Sequence, residues 1–437
     1  MRTSLYLFLY ALAIVIMGYF LPRENFGGLA GMYGLAFGMY YLICKSAKNE
    51  GFSIGFGIAM ALVLRLLLFG ATPELSDDFY RFVFDGQLLK LGVNPYLNLP
   101  EEAFGLLGIP ANGYWQSLLE QMNSSQYYSV YPPLHQLFFW LAALPGENLI
   151  WNVLVLRGLI LIFEGLNIFL ILRILQDWKL PTTRIWLYAF NPLVIMECTG
   201  NLHFEGIVLT GLLLAVYGWG KMKAGLSAFG WSWAVGIKLS PLMFGPIWLM
   251  AWPRKKGFVF LLLAAIAIGF FVAPLAIGDS GKGFWQIIRL YQSSFEFNAS
   301  LYYLLREVFS FFLGYNPIGT LGPIFNLLLA LGILGFSFFW KIEKKESLAE
   351  GMVWILLVYL LFQTVVHPWY LIPAVGLSVL TKNRIFLVWS CLVFLSYSAY
   401  GNRDFAENPY LLLLEYGALL AFVYWNYLRR FVPIKKV

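Results

Sequence analysis

Charge is the first thing this chain lacks. Only 12% of its 437 residues are Asp, Glu, Lys or Arg, while 60% are hydrophobic and 19% aromatic. Globular proteins carry about 25% charged residues, and with a mean hydropathy of +0.71 an ordinary soluble enzyme is excluded. Cysteine is scarce too. Cys44, Cys198 and Cys391 lie in or beside apolar runs with no CxxC or metal-ligand spacing, so neither a disulfide framework nor a zinc site is expected. There is no Gly-rich phosphate loop, HExxH, GxSxG or dinucleotide fingerprint, and no evident place for a soluble nucleotide cofactor to dock. Obvious internal repeats and low-complexity segments are missing as well.

What remains is a succession of apolar runs long enough to cross a bilayer, which takes about 20 residues each. The expected class is an all-α polytopic membrane protein of about 12–14 transmembrane or re-entrant helices, one domain over 1–437. The first run follows Arg2 without a small-residue cleavage site, and reads as a helix rather than a removable signal. The net charge of +7 sits in short loops: Lys45 and Lys48, Lys179 and Arg184, Lys221 and Lys223, Arg254 to Lys256, Lys341 to Lys345, Lys382 and Arg384, and Arg429 to Lys436. That clustering assigns those loops to the cytoplasm and does not call for nucleic acid.

With the N-terminus inside, spans near 5–21, 27–44 and 52–70 lead to a long extracytoplasmic loop at 72–132. A second outer loop at 278–315 should hold a short amphipathic helix over 284–292. Two sequons, at Asn123 and Asn298, fall in these loops. The stretch 226–252 lies between two basic loops and is broken by Gly236-Ile-Lys238-Leu-Ser240-Pro241. It reads as a hairpin of two short helices with Lys238 near the turn. Arg157 and Glu164, seven apart on one span, are expected to pair.

The unusual polar residues fall at the outer boundary, led by Leu75–Gly86, LSDDFYRFVFDG. Ser76 is a good N-cap, putting Asp77 and Asp78 in the first helical turn, where the dipole favours anions. Asp77, Arg81 and Asp85 then share one face at i, i+4 and i+8. Capping with local ion pairs and catalysis both fit this stretch taken alone. His203 and Glu205, between two spans, fit loop hydration or hydroxyl recognition. Lys238 needs a partner at its depth, a structural carboxylate or a lipid phosphate. His367-Pro-Trp369-Tyr370 is either an aromatic belt or a helix break whose freed groups meet a ligand.

Taken in order, Asp77-Asp78-Phe-Tyr80-Arg81 with Asp85-Gly86, Gly92-Val-Asn94-Pro95-Tyr96, Tyr131-Pro-Pro-Leu134, Asn191-Pro-Leu193 leading to Gly200-Asn-Leu-His203-Phe-Glu205, Gly236-Ile-Lys238-Leu-Ser-Pro241 and His367-Pro-Trp369-Tyr370 resemble the GT-C superfamily of membrane glycosyltransferases. The nearest likeness is to mannosyltransferases that use polyprenyl- or dolichyl-phosphate mannose, the GPI mannosyltransferase I type and bacterial relatives. Two extra spans precede the acidic loop, where many relatives have one helix. The resemblance implies a GT-C-like bundle and an inverting transfer to a glycan, lipid or protein acceptor at the extracytoplasmic face. It casts Asp77 as base with Asp78 as runner-up or orienting residue, and Arg81, Asp85, Tyr131, His203, Glu205, Lys238, His367 and Tyr370 as substrate-binding. No cofactor is expected; a divalent metal on Asp77 and Asp78 is the less favoured option. The expected partners are the lipid-linked donor, the acceptor and membrane lipids. A bacterial inner membrane is the favoured location, the ER membrane if the host is eukaryotic. The competing functions are a transporter or lipid flippase and an outer-face glycan polymerase or ligase.

Overall fold

A computed structural model describes residues 2–49, 53–106, 108–109, 112–402 and 404–429. Arg403 and the terminal basic residues 430–436 lie outside the described residues. The chain opens with helices α1 (Arg2–Tyr19), α2 (Phe26–Asn49) and α3 (Ile54–Leu66), followed by α4 (Asp78–Lys90), α5 (Pro100–Leu106), α6 (Gly113–Gln121) and α7 (Pro133–Ala143). The long α8 (Leu149–Asp177) leads through a 3-10 turn to α9 (Trp186–Ala189), α10 (Pro192–Val194) and a π-helical turn (Ile195–Gly200). Then come α11 (Glu205–Gly220), α12 (Ala224–Ile237), a 3-10 turn (Ser240–Phe244), α13 (Gly245–Ala251), α14 (Arg254–Val272), α15 (Ser280–Ser294) and α16 (Leu301–Leu313). The set ends with α17 (Ile318–Phe339), α18 (Lys345–Phe362), a 3-10 turn (Pro368–Leu371), α19 (Ile372–Ser378), α20 (Ile385–Leu392) with its 3-10 extension (Val393–Gly401), and α21 (Pro409–Val423).

Five of these helices are long and apolar enough to cross a membrane: α1, α2, α8, α14 and α17. The sixth is broken, because the segments Pro192–Gly200 and Glu205–Gly220 meet at 116°. The expected crossings near 52–70, 226–252 and 385–400 are shorter apolar helices (Ile54–Leu66, Ser240–Ala251 and Ile385–Gly401). This is the polytopic all-α membrane class. Among the described residues the one β feature is an isolated parallel bridge between Phe297 and Val365.

Local chemistry sets the breaks. Asn191 caps α10 by accepting from the Leu193 and Val194 amides at 3.0 and 3.4 Å, with Pro192 in the first turn. Asn408 and Pro409 repeat the device at α21. Close helix contacts need glycine at two places. A Cβ on Gly86 would stand 2.1 Å from the Phe139 carbonyl oxygen, so α4 crosses α7 there with backbone against side-chain-free backbone. Gly211 and Gly230 do the same for α11 on α12, where a Cβ on Gly230 would meet the Ala215 nitrogen at 2.5 Å. One continuous apolar core runs from Tyr10 in α1 to Val423 in α21.

One expectation changes and two gain detail. The stretch 72–132 carries the short helices α4, α5 and α6 between irregular segments. The second loop holds α15, which contains the expected 284–292 helix, and also α16. Arg157 does not pair with Glu164. Arg157 donates to the carbonyls of Phe69, Thr199 and Gly200 at 2.6, 2.7 and 3.1 Å, while Glu164 pairs with fully buried Arg65 at 2.9 Å. Arg65 is the closer cation to that carboxylate, and Arg157 satisfies carbonyls that the π-turn and the end of α3 leave open.

Candidate active site

The acidic stretch begins α4, one residue later than its sequence suggests. Asp77 occupies the N-cap position but makes no capping bond. Ser76 Oγ instead accepts from the Asp78 amide at 3.3 Å. Freed from capping, the Asp77 carboxylate turns to the α1–α2 turn, where Arg23 Nη1 donates to its Oδ2 at 2.7 Å. Arg23 also lies 5.5 Å from the Tyr400 ring centroid and 3.6 Å from Glu24. Asp78 has a different environment: Asn123 Nδ2 donates to its Oδ1 at 3.1 Å. Burial raises the Asp78 carboxyl above the usual carboxylate range, opposed by the Asn123 hydrogen bond and the Lys238 charge.

One turn on, Arg81 does not reach back to Asp77. Its Nε donates to Asp85 Oδ1 at 2.7 Å with both side chains buried, and its Nη1 donates to the Ser124 and Tyr127 carbonyls, each at 2.8 Å. Asp85 Oδ2 accepts from Ser129 Oγ at 2.6 Å and Gln136 Nε2 at 2.8 Å. These two residues therefore clamp α4 to α7 and to the segment that carries Asn123.

The bent α10–α11 junction supplies the next group. Asn201 Oδ1 accepts from the Leu75 amide at 3.2 Å, tying the acidic stretch to the bend. Buried Glu197 accepts from Tyr397 Oη at 2.7 Å and Asn201 Nδ2 at 3.3 Å, and lies 3.5 Å from His203 Nε2. His203 stacks on Trp369, centroids 3.6 Å apart, and His367 stacks on the opposite face of the same indole at 4.3 Å. One tryptophan is thus held between two imidazoles, with Tyr370 edge-on to His367.

Lys238 stands where α12 ends, at the break read from the sequence. Its ammonium pairs with Glu205 and lies 4.0 Å from the Tyr370 ring centroid, a cation–π arrangement. The Tyr370 hydroxyl meets that of Tyr291, from α15, at 2.6 Å. His135 Nδ1 lies 3.1 Å from the Ile237 carbonyl and so steadies the turn that presents Lys238. Tyr131 packs edge-on against Phe82 and His135, with its carbonyl accepting from Tyr96 Oη at 2.6 Å.

Asp78, Lys238, Glu205, Tyr131, Tyr291 and Tyr370 therefore share one electrostatic neighbourhood, with His203, Trp369 and His367 as its aromatic wall. Arg81 and Asp85 face the helix clamp instead. Among the described residues no three His, Cys, Asp or Glu side chains form a group that could hold a metal ion, and Asp77 and Asp78 turn to different partners. Sequence reading did not place Arg23, Asn123 or Tyr291 at the site. Arg23 carried a usable signal, being a basic residue in a turn that the charge pattern puts opposite the basic loops. The Asn298 sequon is overruled: its side chain is fully buried and donates to Val366 O and Glu415, so no glycan can reach it.

Known proteins resemble this chain in sequence. A family model described as alpha-(1->6)-mannopyranosyltransferase, N-terminal domain, matches residues 29–254, a span that includes Asp77, Asp78, Tyr131, His203, Glu205 and Lys238. Alpha-(1->6)-mannopyranosyltransferase A of Corynebacterium glutamicum is 23% identical over 405 residues, covering 83% of this chain and 79% of that protein. The protein of the same name from Mycobacterium tuberculosis is 26% identical over 338 residues, covering 69% of this chain and 60% of its own length. A probable alpha-(1->6)-mannopyranosyltransferase of Mycolicibacterium smegmatis is 28% identical over 155 residues, covering 33% of this chain and 25% of its own. More than half of the chain lies within the matched family segment, and the chain belongs to the alpha-(1->6)-mannopyranosyltransferase family.

Proposed function

We propose that this protein transfers mannose from a polyprenyl-phosphate donor to a hydroxyl of a glycan acceptor, with inversion, at the non-cytoplasmic face of a bacterial cell membrane. If the product is α-linked, as in the relatives' names, inversion requires a β-linked donor. The acceptor oxygen attacks the anomeric carbon as one carboxylate at the start of α4 takes its proton. The bond from that carbon to the lipid phosphate breaks, and the phosphate leaves with the electron pair. Lys238 offsets the charge that develops there, held in place by Glu205. Tyr131, Tyr370 and His367 line the sugar and phosphate, with the Trp369 indole backing His367 and His203 bracing its other face. No step is routed through a metal.

The observation that carries this reading is a carboxylate without an ion-pair partner among the described residues, Asp78, that feels the charge of a lysine, Lys238, seated on the Tyr370 ring, in a mannosyltransferase-family chain. Purified protein in lipid vesicles, given radiolabelled polyprenyl-phosphate mannose and an α-1,6-mannan oligosaccharide, should extend the oligosaccharide, in EDTA as without it. Transfer from GDP-mannose alone, or none from the lipid donor, would overturn it.

A further inference from the structure

Two neighbouring carboxylates begin α4, and the reaction needs one base. Their surroundings are unequal. Asp77 is in direct contact with a guanidinium, Arg23 at 2.7 Å, which occupies its Oδ2 and turns the carboxylate towards the α1–α2 turn. Asp78 makes no ion pair among the described residues. One of its oxygens is oriented by the Asn123 amide at 3.1 Å, and Ser76 fixes its backbone amide. Its carboxyl also feels the charges of Lys238 and Glu205, on the side where the leaving phosphate is proposed to sit.

We propose that Asp78 is the catalytic base, and that Arg23 is a positioning residue which holds Asp77 aside. The assignment rests on the mannosyl-transfer reading above. In the step, the acceptor O–H bond breaks, its proton passes to an Asp78 oxygen, and the new C–O bond forms as the bond to phosphate opens. Asn123 aims the carboxylate, and Arg23 ties the start of the catalytic helix to the α1–α2 turn. Both members of the Arg23–Asp77 pair are about a quarter exposed, at 25% and 28%, so breaking the pair should leave the fold intact. The charged and titratable groups facing Asp78 are Asp77, Glu205 and Lys238, with the phenols of Tyr131, Tyr291 and Tyr400 around it.

Charge then makes a prediction that a purely structural role would not. The Asp77 carboxylate raises the Asp78 proton affinity. In Asp77→Asn that influence is gone, so the acidic limb of the kcat/KM profile moves to lower pH. In Arg23→Gln the Asp77 charge is no longer offset, and the same limb moves to higher pH. Arg23→Lys restores the limb towards its wild-type position. Asp78→Asn loses about 10²–10⁴-fold in kcat at little change in donor KM, and formate restores part of the rate to Asp78→Ala. Size-exclusion profiles check that each variant is folded.

The outcomes separate cleanly. A wild type that does not use the lipid donor defeats the function and the base assignment with it. A working wild type with Asp77→Asn inactive and Asp78→Asn active makes Asp77 the base. Limbs that move the same way in Asp77→Asn and Arg23→Gln overturn the role given to Arg23.

Discussion

Helix α4 carries two acid–base pairings one turn apart, and they are built to opposite specifications. Arg81 and Asp85 are buried at 2% and 0% exposure, and both Asp85 oxygens are occupied. At the helix start Asp77 is half-buried on Arg23, and Asp78 keeps an oxygen without a protein donor among the hydrogen bonds described. A buried pair whose carboxylate is fully occupied holds things together, because any ligand would have to displace several charge-assisted bonds. An under-coordinated carboxylate can take a proton. The same residue types serve architecture at Arg81–Asp85 and are offered for chemistry at the helix start.

The largest effect should come from breaking the buried turn. Asp85→Ala leaves the Arg81 guanidinium with no carboxylate, in a site where its Nη2 already lacks a partner. Removing one member of a buried pair costs about 3–5 kcal/mol. The expected outcome is a large fall in apparent melting temperature in detergent and poor recovery of folded protein. Asp78→Asn, measured alongside, should melt close to wild type. An Asp85→Ala protein that melts normally would erase the contrast.

Lys238→Gln tests the chemical side. Lys238 contacts Glu205 and the Tyr370 face, and its side chain is 36% exposed, so stability should change little. Loss of a charge that stabilises the departing phosphate should lower kcat by about 10²–10³-fold. Assays at saturating donor separate this from weakened binding. If Glu205→Gln matched Lys238→Gln in rate and the double variant were no worse, the two would be acting as one unit.

How much of this contrast could be read from the chain depends on the range of each interaction. The apolar runs, the break before Lys238, the α15 amphipathic helix and the polytopic class follow from composition and local periodicity. The importance of 75–86 was legible from its charge in an apolar context. The pairing was not, because a repeat of four makes Asp77–Arg81 and Arg81–Asp85 equally good on paper. The choice was made by residues far away: Arg23 drew Asp77 off, while Ser129 and Gln136 fixed Asp85. The His203–Trp369–His367 stack joins positions over 160 residues apart, and Glu164 found Arg65 rather than Arg157. No spacing rule reaches that far.

That stack gives a smaller, mixed effect. Trp369→Leu removes two ring faces, each worth about 0.5–1.5 kcal/mol beyond area burial, so the melting temperature should fall moderately. Because His367 and Tyr370 lose their support on the substrate side, donor KM should rise more than kcat falls. A change in stability with donor KM unmoved would make the stack part of the architecture, like Arg81–Asp85.

The smallest stability effect should belong to Arg23→Gln, and its smallness is what makes it informative. Partly exposed ion pairs contribute about 0.2–1 kcal/mol, and water can take the place of the lost guanidinium at Asp77. Salt should mimic the substitution in the wild type, since the pair lies within reach of screening ions, whereas Arg81–Asp85 should not respond. Melting curves of wild type and Arg23→Gln over a range of sodium chloride concentrations should therefore converge as salt rises. If Arg23→Gln instead destabilised as much as Asp85→Ala, the two turns of α4 would both be architectural, and the division of labour between them would be gone.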